Sequence, residues 1–321
     1  MRKNYALDMT CGPFFKKILI FSVPLMLTGL LQLAYNTADV VVVGRFVGKE
    51  ALAAVGSTGS LINLFVNLFI GISMGSGVVV ARHIGENNDK GVRECVHTSM
   101  LLSIFCGFFI GVLGFFTSGE MLKIMNAPDD VIDLATLYLK IYCLGSPGLM
   151  AYNFGAAIVR STGDTKRPLY ILTFSGLVNV ALNLFFVIVL KFGVSGVAIP
   201  TIISQYLSAL LIIIHLKRMN NACRLSFRSL RIHSAELRDI LRIGLPAGIQ
   251  SSLFSVSNVV IQSTVNSFGS SAMAGVAAGS NYDAYIYTCT NAISQTTMTF
   301  ASQNMGARKY SNLGRSIDTA C

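Results

Sequence analysis

The first group in this chain able to do chemistry is a carboxylate in an apolar stretch. Asp39 lies within residues 14–43, preceded by Tyr35, Gln32 and Thr28 at i−4, i−7 and i−11. That spacing puts the four residues on one face of a helix whose other faces carry Leu, Ile, Val and Phe. Burying an ionised carboxylate costs several kcal/mol unless it is paired or neutralised. Its presence suits proton exchange or cation binding; the alternative is a helix-packing acid satisfied by a neighbouring Asn or Thr, or an interfacial one. A second polar stripe, Ser175, Asn179 and Asn183 at i, i+4 and i+8, can hydrogen-bond to an adjacent helix. Asp283 is the other acid read as buried, about 14 Å into its span. Tyr287, Thr290 and Ser294 share its face, and Tyr282 and Tyr285 flank it. Such a carboxylate among tyrosines suits an organic cation through charge pairing and cation–π contact, or caps the packing of two helix groups.

The elements that position these groups follow from composition. The chain is 53% hydrophobic and 12% charged, against about 25% charged in ordinary soluble domains. Eight apolar stretches reach the roughly 20 residues a span needs: 14–43, 54–81, 95–118, 131–158, 168–190, 194–216, 240–267 and 274–303. The expectation is an all-α polytopic membrane protein. The first span is too long for a cleavable signal and lacks a small-residue cleavage site.

The net charge of +10 raises a nucleic-acid reading, which the distribution of bases argues against. With a cytoplasmic N-terminus, twenty Lys and Arg fall in inside segments and four in outside loops. That is the positive-inside pattern, and the basic balance reports topology. The seven cysteines form no C-x-x-C pair, so metal or disulfide chemistry has no support from spacing. No phosphate-binding glycine loop, zinc spacing or nucleophile–base pair supports an enzyme.

An internal repeat organises the spans. Pro24 and Asn36 match Pro246 and Asn258 at an offset of 222 residues; Ala51, Ala53, Val55 and Gly85 match Ala272, Ala274, Val276 and Gly306 at 221. Asp39 falls opposite Ile261, so the shared architecture does not itself require an acid there. Six spans per unit implies parallel repeats related by an axis along the membrane normal. The expected division is residues 1–218 as an N-lobe of six helices, 219–238 as a basic cytoplasmic linker, and 239–321 as part of a C-lobe. That part holds two helices and the start of a third, giving eight full spans of an expected twelve. The linker reads as a solvated connector near anionic lipid. Gly71, Gly75 and Gly77 read as sites of close helix packing.

Several segments resemble the multidrug and toxin extrusion (MATE) family. They are Ser22-Val23-Pro24-Leu25, Asn36-Thr37-Ala38-Asp39, Val43-Gly44-Arg45-Phe46, Ala51 to Gly56, Arg160 to Lys166, and Gln303-Asn304-Met305-Gly306-Ala307. The eighth span looks more like the DinF and MepA branch than the NorM branch. The resemblance implies a two-lobed, cofactor-free secondary antiporter, expected to be monomeric in the plasma or inner membrane. It would expel organic cations or amphipathic toxins in exchange for H⁺ or Na⁺. It also implies that Asp39 couples the cation, with Asn179, Asn183 and Thr201, and that Tyr35, Gln32, Tyr138, Asn153, Asp283 and Tyr287 face substrate. Pro24 is then a hinge. Many relatives carry a second acid where Asn183 stands, which puts a two-carboxylate relay in doubt; a single acid with neutral oxygens can still hold sodium or exchange one proton. The alternatives are a flippase for a lipid-linked precursor on the same superfamily fold, and a chain of eight spans that does not transport by itself.

Overall fold

The computed structural model describes residues 7, 9–124, 129–267 and 270–320, and among these there is no strand. Among the described residues ten α-helices follow one another: α1 (Phe14–Phe46), α2 (Lys49–Gly85), α3 (Asp89–Ile124), α4 (Asp129–Leu144), α5 (Ser146–Ser161), α6 (Lys166–Leu184), α7 (Ser195–Arg218), α8 (Ser234–Ser267), α9 (Ser270–Gly306) and α10 (Ser311–Ala320). Five helical stretches among the described residues are long and apolar enough to cross a bilayer: Phe14–Phe46, Val66–Gly85, Asp89–Lys123, Lys166–Val189 and Ser195–Arg218. The burial pattern suits lipid as the solvent. On α3, Phe105, Phe108, Phe109, Val112 and Phe116 are exposed along one helical face, while Thr98, Ser99 and Ser103 are buried. Apolar groups face out and polar groups face in, the reverse of a water-soluble helix.

The stretch at 131–158, read from sequence as one span, is two sixteen-residue helices. Pro147 has no N–H to offer the carbonyl of Cys143, and the Gly145 N–H turns instead to Tyr142 O at 2.9 Å. The break is held against α3, where a Cβ on Gly107 would lie 2.4 Å from Pro147 Cα. Pro24 has no such effect on secondary structure. Helix α1 runs unbroken through it, and the Thr28 hydroxyl donates to Pro24 O at 2.7 Å.

Close backbone approach joins the first seven helices to α8 and α9. A Cβ on Gly71 would lie 2.2 Å from Gly248 N, and one on Gly75 would lie 2.6 Å from Ile240 O. Only glycine on both helices permits this, as the sequence reading of Gly71 and Gly75 expected. Gly77 faces Ala157 at an easier 3.3 Å. The ends of α2 and α9 meet reciprocally: a Cβ on Gly85 would lie 2.0 Å from Gln303 O, and one on Gly306 would lie 2.1 Å from Arg82 O. Arg82 with Gln303 and Gly85 with Gly306 are both pairs at the 221-residue offset. The contact is therefore locally two-fold, each helix presenting the same position to the other.

The linker differs from the solvated connector expected. Cys223 and Leu225 are buried, and Leu225 N donates to Leu216 O at 3.1 Å. Ser226 N donates to His97 Nε2 at 3.2 Å, and His233 N to Thr98 Oγ1 at 3.1 Å. The segment is docked on the start of α3 because two apolar side chains and two backbone donors find partners there. Burial holds the Cys223 thiol up at about 12, so it stays protonated.

Candidate functional site

Asp39 lies five residues before Gly44 on α1, and α6 supplies its partner. The Asn183 amide nitrogen donates to Asp39 Oδ1, and also lies 3.3 Å from Asn179 Oδ1. Asn179 Nδ2 in turn reaches Thr201 Oγ1 on α7 at 3.4 Å, and that hydroxyl donates to Val197 O at 3.0 Å. One acid, two amides and a hydroxyl thus form a continuous chain across three helices. Asn179 and Asn183 are buried, and Ser175, the third member of their stripe, bonds back to Ile171 O at 2.9 Å. A donor facing a carboxylate makes a charge-assisted bond, worth roughly twice a neutral one. Asn183 Oδ1 is buried without a hydrogen-bond partner among the described residues. A buried acceptor beside a carboxylate is an environment suited to a proton or a hard cation.

Two packing features set this geometry. A Cβ on Gly176 would lie 2.1 Å from Tyr35 Cε2, so the absent side chain lets the ring of Tyr35 lie against α6. The Tyr35 hydroxyl then donates to Thr173 O at 3.2 Å. Directly after Asn183, α6 widens into a π-helical turn at Phe185–Val189, closed by Leu190 N to Phe185 O at 3.2 Å. Such turns re-aim neighbouring side chains and recur at functional sites. The sequence reading missed it, and nothing in the apolar run Phe185 to Val189 signals it.

The remaining expected residues divide. Tyr138 is buried and stacks on Tyr142 with ring centroids 6.4 Å apart. Tyr142 was not singled out from sequence, although its i+4 spacing from Tyr138 was visible. Asn153 is half-buried and donates to Leu149 O of its own helix at 2.8 Å, turned to its own backbone rather than to Asp39. Gln32 is exposed. Asp283, read as a buried acid, is exposed, as are Tyr285 and Tyr287. The physical reason is that no described residue covers that face of α9; the Tyr282 side chain lies outside the described residues. Lys140 lies over the Phe115 ring at 5.5 Å.

A second polar set, also unforeseen, lies where α2, α5 and α9 end and α8 begins. His83 places Nδ1 3.0 Å from Glu86 and Nε2 3.0 Å from Glu236 on α8. Gln303 Nε2 donates to Ser161 O at 2.7 Å, and Arg160 reaches Gln295 at 3.4 Å. The segment before α1 is pinned to the same end: Asn304 Nδ2 donates to Met9 O at 3.0 Å and Lys309 Nζ to Thr10 O at 3.0 Å.

Comparison with known proteins identifies the family. The family model MatE matches residues 24–185 and 246–321. The chain belongs to the MatE family. Among curated relatives, "Probable multidrug resistance protein YoeA" of Bacillus subtilis is 28% identical over 305 residues, covering 93% of this chain and 66% of the relative. The multidrug export protein MepA of Staphylococcus saprophyticus is 23% identical, covering 81% of this chain and 58% of its own length. This MatE chain therefore spans about two-thirds, or less, of the curated relatives it matches. A solved structure of a MOP superfamily transporter from Pyrococcus furiosus superposes with a TM-score of 0.92 at 24% identity, covering 100% of this chain and 71% of that one. That likeness carries the fold. As a MatE protein the chain is a multi-pass membrane protein, and these relatives are named as transport and resistance proteins rather than enzymes.

Proposed function

We propose that this chain forms part of a secondary active efflux antiporter that exports organic cations or amphipathic toxins in exchange for H⁺ or Na⁺. The observation that carries the reading is the Asp39–Asn183–Asn179–Thr201 chain, with its unpartnered buried Asn183 oxygen. Asp39 is the group that takes the proton or faces the cation. Asn183 holds one carboxylate oxygen in place, leaving the other available, and Thr201 and Asn183 Oδ1 offer further hard oxygens. In this reading residues 1–218 are the N-lobe, 219–238 the linker, and 239–321 belong to the C-lobe. Eight spans cross the membrane from a cytoplasmic N-terminus, α4 and α5 together making the fourth.

The contacts at the ends of α2, α8 and α9 are then the closed cytoplasmic side of an outward-open state. Coupling follows from charge: an ionised, empty Asp39 is costly in apolar surroundings, so neutralising it and repacking α1 against α6 are linked events. Pro24, lacking an N–H, is the hinge position in α1. The test is ethidium or norfloxacin efflux by cells producing the full-length transporter with Asp39→Asn. Loss of efflux at normal membrane abundance supports the assignment, and undiminished efflux sinks it. Repeating the wild-type assay across Na⁺ and pH gradients separates the two coupling ions.

A further inference from the structure

A groove of about 1350 Å³ opens where α7 ends, α3 begins and the docked linker crosses between them. Five of its lining residues are basic, Lys90, Arg93, Lys217, Arg224 and Arg228, against two acids, Asp89 and Glu94. Glu94 is shared between Lys90 at 3.8 Å and His233 at 3.9 Å. Lys217, Arg224 and Arg228 have no carboxylate within ion-pair distance among the described residues, and Arg224 and Arg228 are exposed. The groove is built rather than incidental, since buried Leu225 lines it beside the buried Cys223 and Ser226 is tied to His97. Beside the bases, Phe227 is 56% exposed, with Lys217 Nζ 4.8 Å from its ring centroid, and Ile232, next in sequence to the lining residue His233, is 54% exposed. Cations next to exposed apolar side chains, at the point where a helix leaves the apolar slab, match the two halves of a phospholipid.

We propose that this groove binds the phosphate of an anionic phospholipid headgroup. Lys217, Arg224 and Arg228 hold the phosphate oxygens, and Phe227 and Ile232 meet the glycerol and upper acyl region. The three free cations converge on one site from the end of α7 and from the linker, so an occupied groove fastens the linker to α7 and thereby to the membrane surface. The proposal rests on the topology above only for the leaflet, which is the cytoplasmic one. Nanodiscs expose both leaflets, so binding there is read independently of topology and of transport.

The full chain is placed in phosphatidylcholine nanodiscs with a minor fraction of phosphatidylglycerol, and lipid retained on extraction is measured by native mass spectrometry. Wild type retains phosphatidylglycerol over phosphatidylcholine, increasingly so as salt is lowered. The variant Lys217→Gln, Arg224→Gln, Arg228→Gln loses about a hundredfold in preference, at roughly 1 kcal/mol per base. The charge-preserving variant Lys217→Arg, Arg224→Lys, Arg228→Lys retains it, which separates lost charge from lost folding. Equal retention by the neutral variant overturns the proposal, as does wild-type retention indifferent to salt. Displacement of the lipid by free inorganic phosphate or ATP would assign the groove to a soluble anion instead.

Discussion

The reciprocal glycine contact makes a prediction that is unusual in being about coupling rather than loss. Ordinary contact for a Cβ begins at 3.4 Å, and a Cβ on Gly85 or Gly306 would lie 2.0 or 2.1 Å from a backbone oxygen. Each single alanine must therefore move the end of α2 from the end of α9 by about 1.3–1.4 Å, because a main-chain carbonyl cannot rotate away as a side chain can. Overpacking of this kind costs about 1–3 kcal/mol. The same separation that relieves Gly85→Ala also relieves Gly306→Ala, since the two clashes lie across one local two-fold. The double variant should therefore cost little more than either single one, giving a coupling energy of about 1–2 kcal/mol. Thermal unfolding of the purified single and double variants in one detergent measures this, with Gly59→Ala as a control where no atom lies within 4 Å. Strictly additive losses, or singles no worse than the control, would refute the reciprocal geometry.

Other outcomes follow from the same packing. Gly176→Ala puts a methyl into the Tyr35 ring and should reduce efflux several-fold by spreading α1 from α6, while Gly77→Ala, at 3.3 Å from Ala157, should leave efflux near wild type. Asn183→Ala removes the donor to Asp39, a loss of about 1.5–3 kcal/mol for a bond to a charged group; efflux should fall, and Asn183→Gln, whose longer amide cannot sit between Asp39 and Asn179, should not restore it. His83 faces a carboxylate from each ring nitrogen, and only the imidazolium donates from both. The α2–α8 clasp is therefore complete at low pH and weakens as the ring loses its proton; spin labels across it should report opening with rising pH in wild type and no pH response in His83→Gln. Cys223, buried and with its thiol near 12, should resist maleimide at pH 8 until the protein is unfolded, whereas exposed Cys11 should label in the native state.

Much of the fold was legible because lipid leaves a simple mark on sequence. Long apolar runs with inward-facing Ser, Thr and Asn identified the helices of α1, α3 and α7 within a few residues, apart from their polar ends. The break between α4 and α5 was readable in principle from Gly145-Ser146-Pro147-Gly148, but hydropathy averages over it. The site was half legible. Helical spacing put Tyr35 and Asp39 on one face of α1, and Asn179 and Asn183 on one face of α6. That these two faces meet depends on Gly176, whose missing side chain carries no signal of its partner. The burial of Asp283 was misread for the converse reason. Depth along a helix follows from counting residues, but burial depends on what packs against that side, and hydropathy says nothing of it. The His83–Glu236 clasp was invisible because 153 residues separate its members and neither lies in a periodic pattern.

The two-fold relation is kept where helices must touch and abandoned where chemistry is placed. At the ends of α2 and α9, position answers position, glycine to glycine and carbonyl to carbonyl. Higher along the same helices the match already loosens: Gly244 and Gly248 on α8 correspond to Ser22 and Met26 on α1, and Gly71 and Gly75 on α2 to Ala292 and Thr296 on α9. Helix α8 therefore lies backbone to backbone on α2, while α1 meets α9 through side chains and through Gly29, where a Cβ would strike Thr288 Cγ2 at 2.3 Å. A threonine methyl can rotate aside; a peptide plane cannot. The α1–α9 seam is the softer of the two, and α1 is the helix that carries Asp39. Its counterpart on α8 is Ile261, exposed and apolar, so the firmly packed helix carries no acid at that position. In the proposed coupling, the charge that changes state lies on the helix with the softer seam.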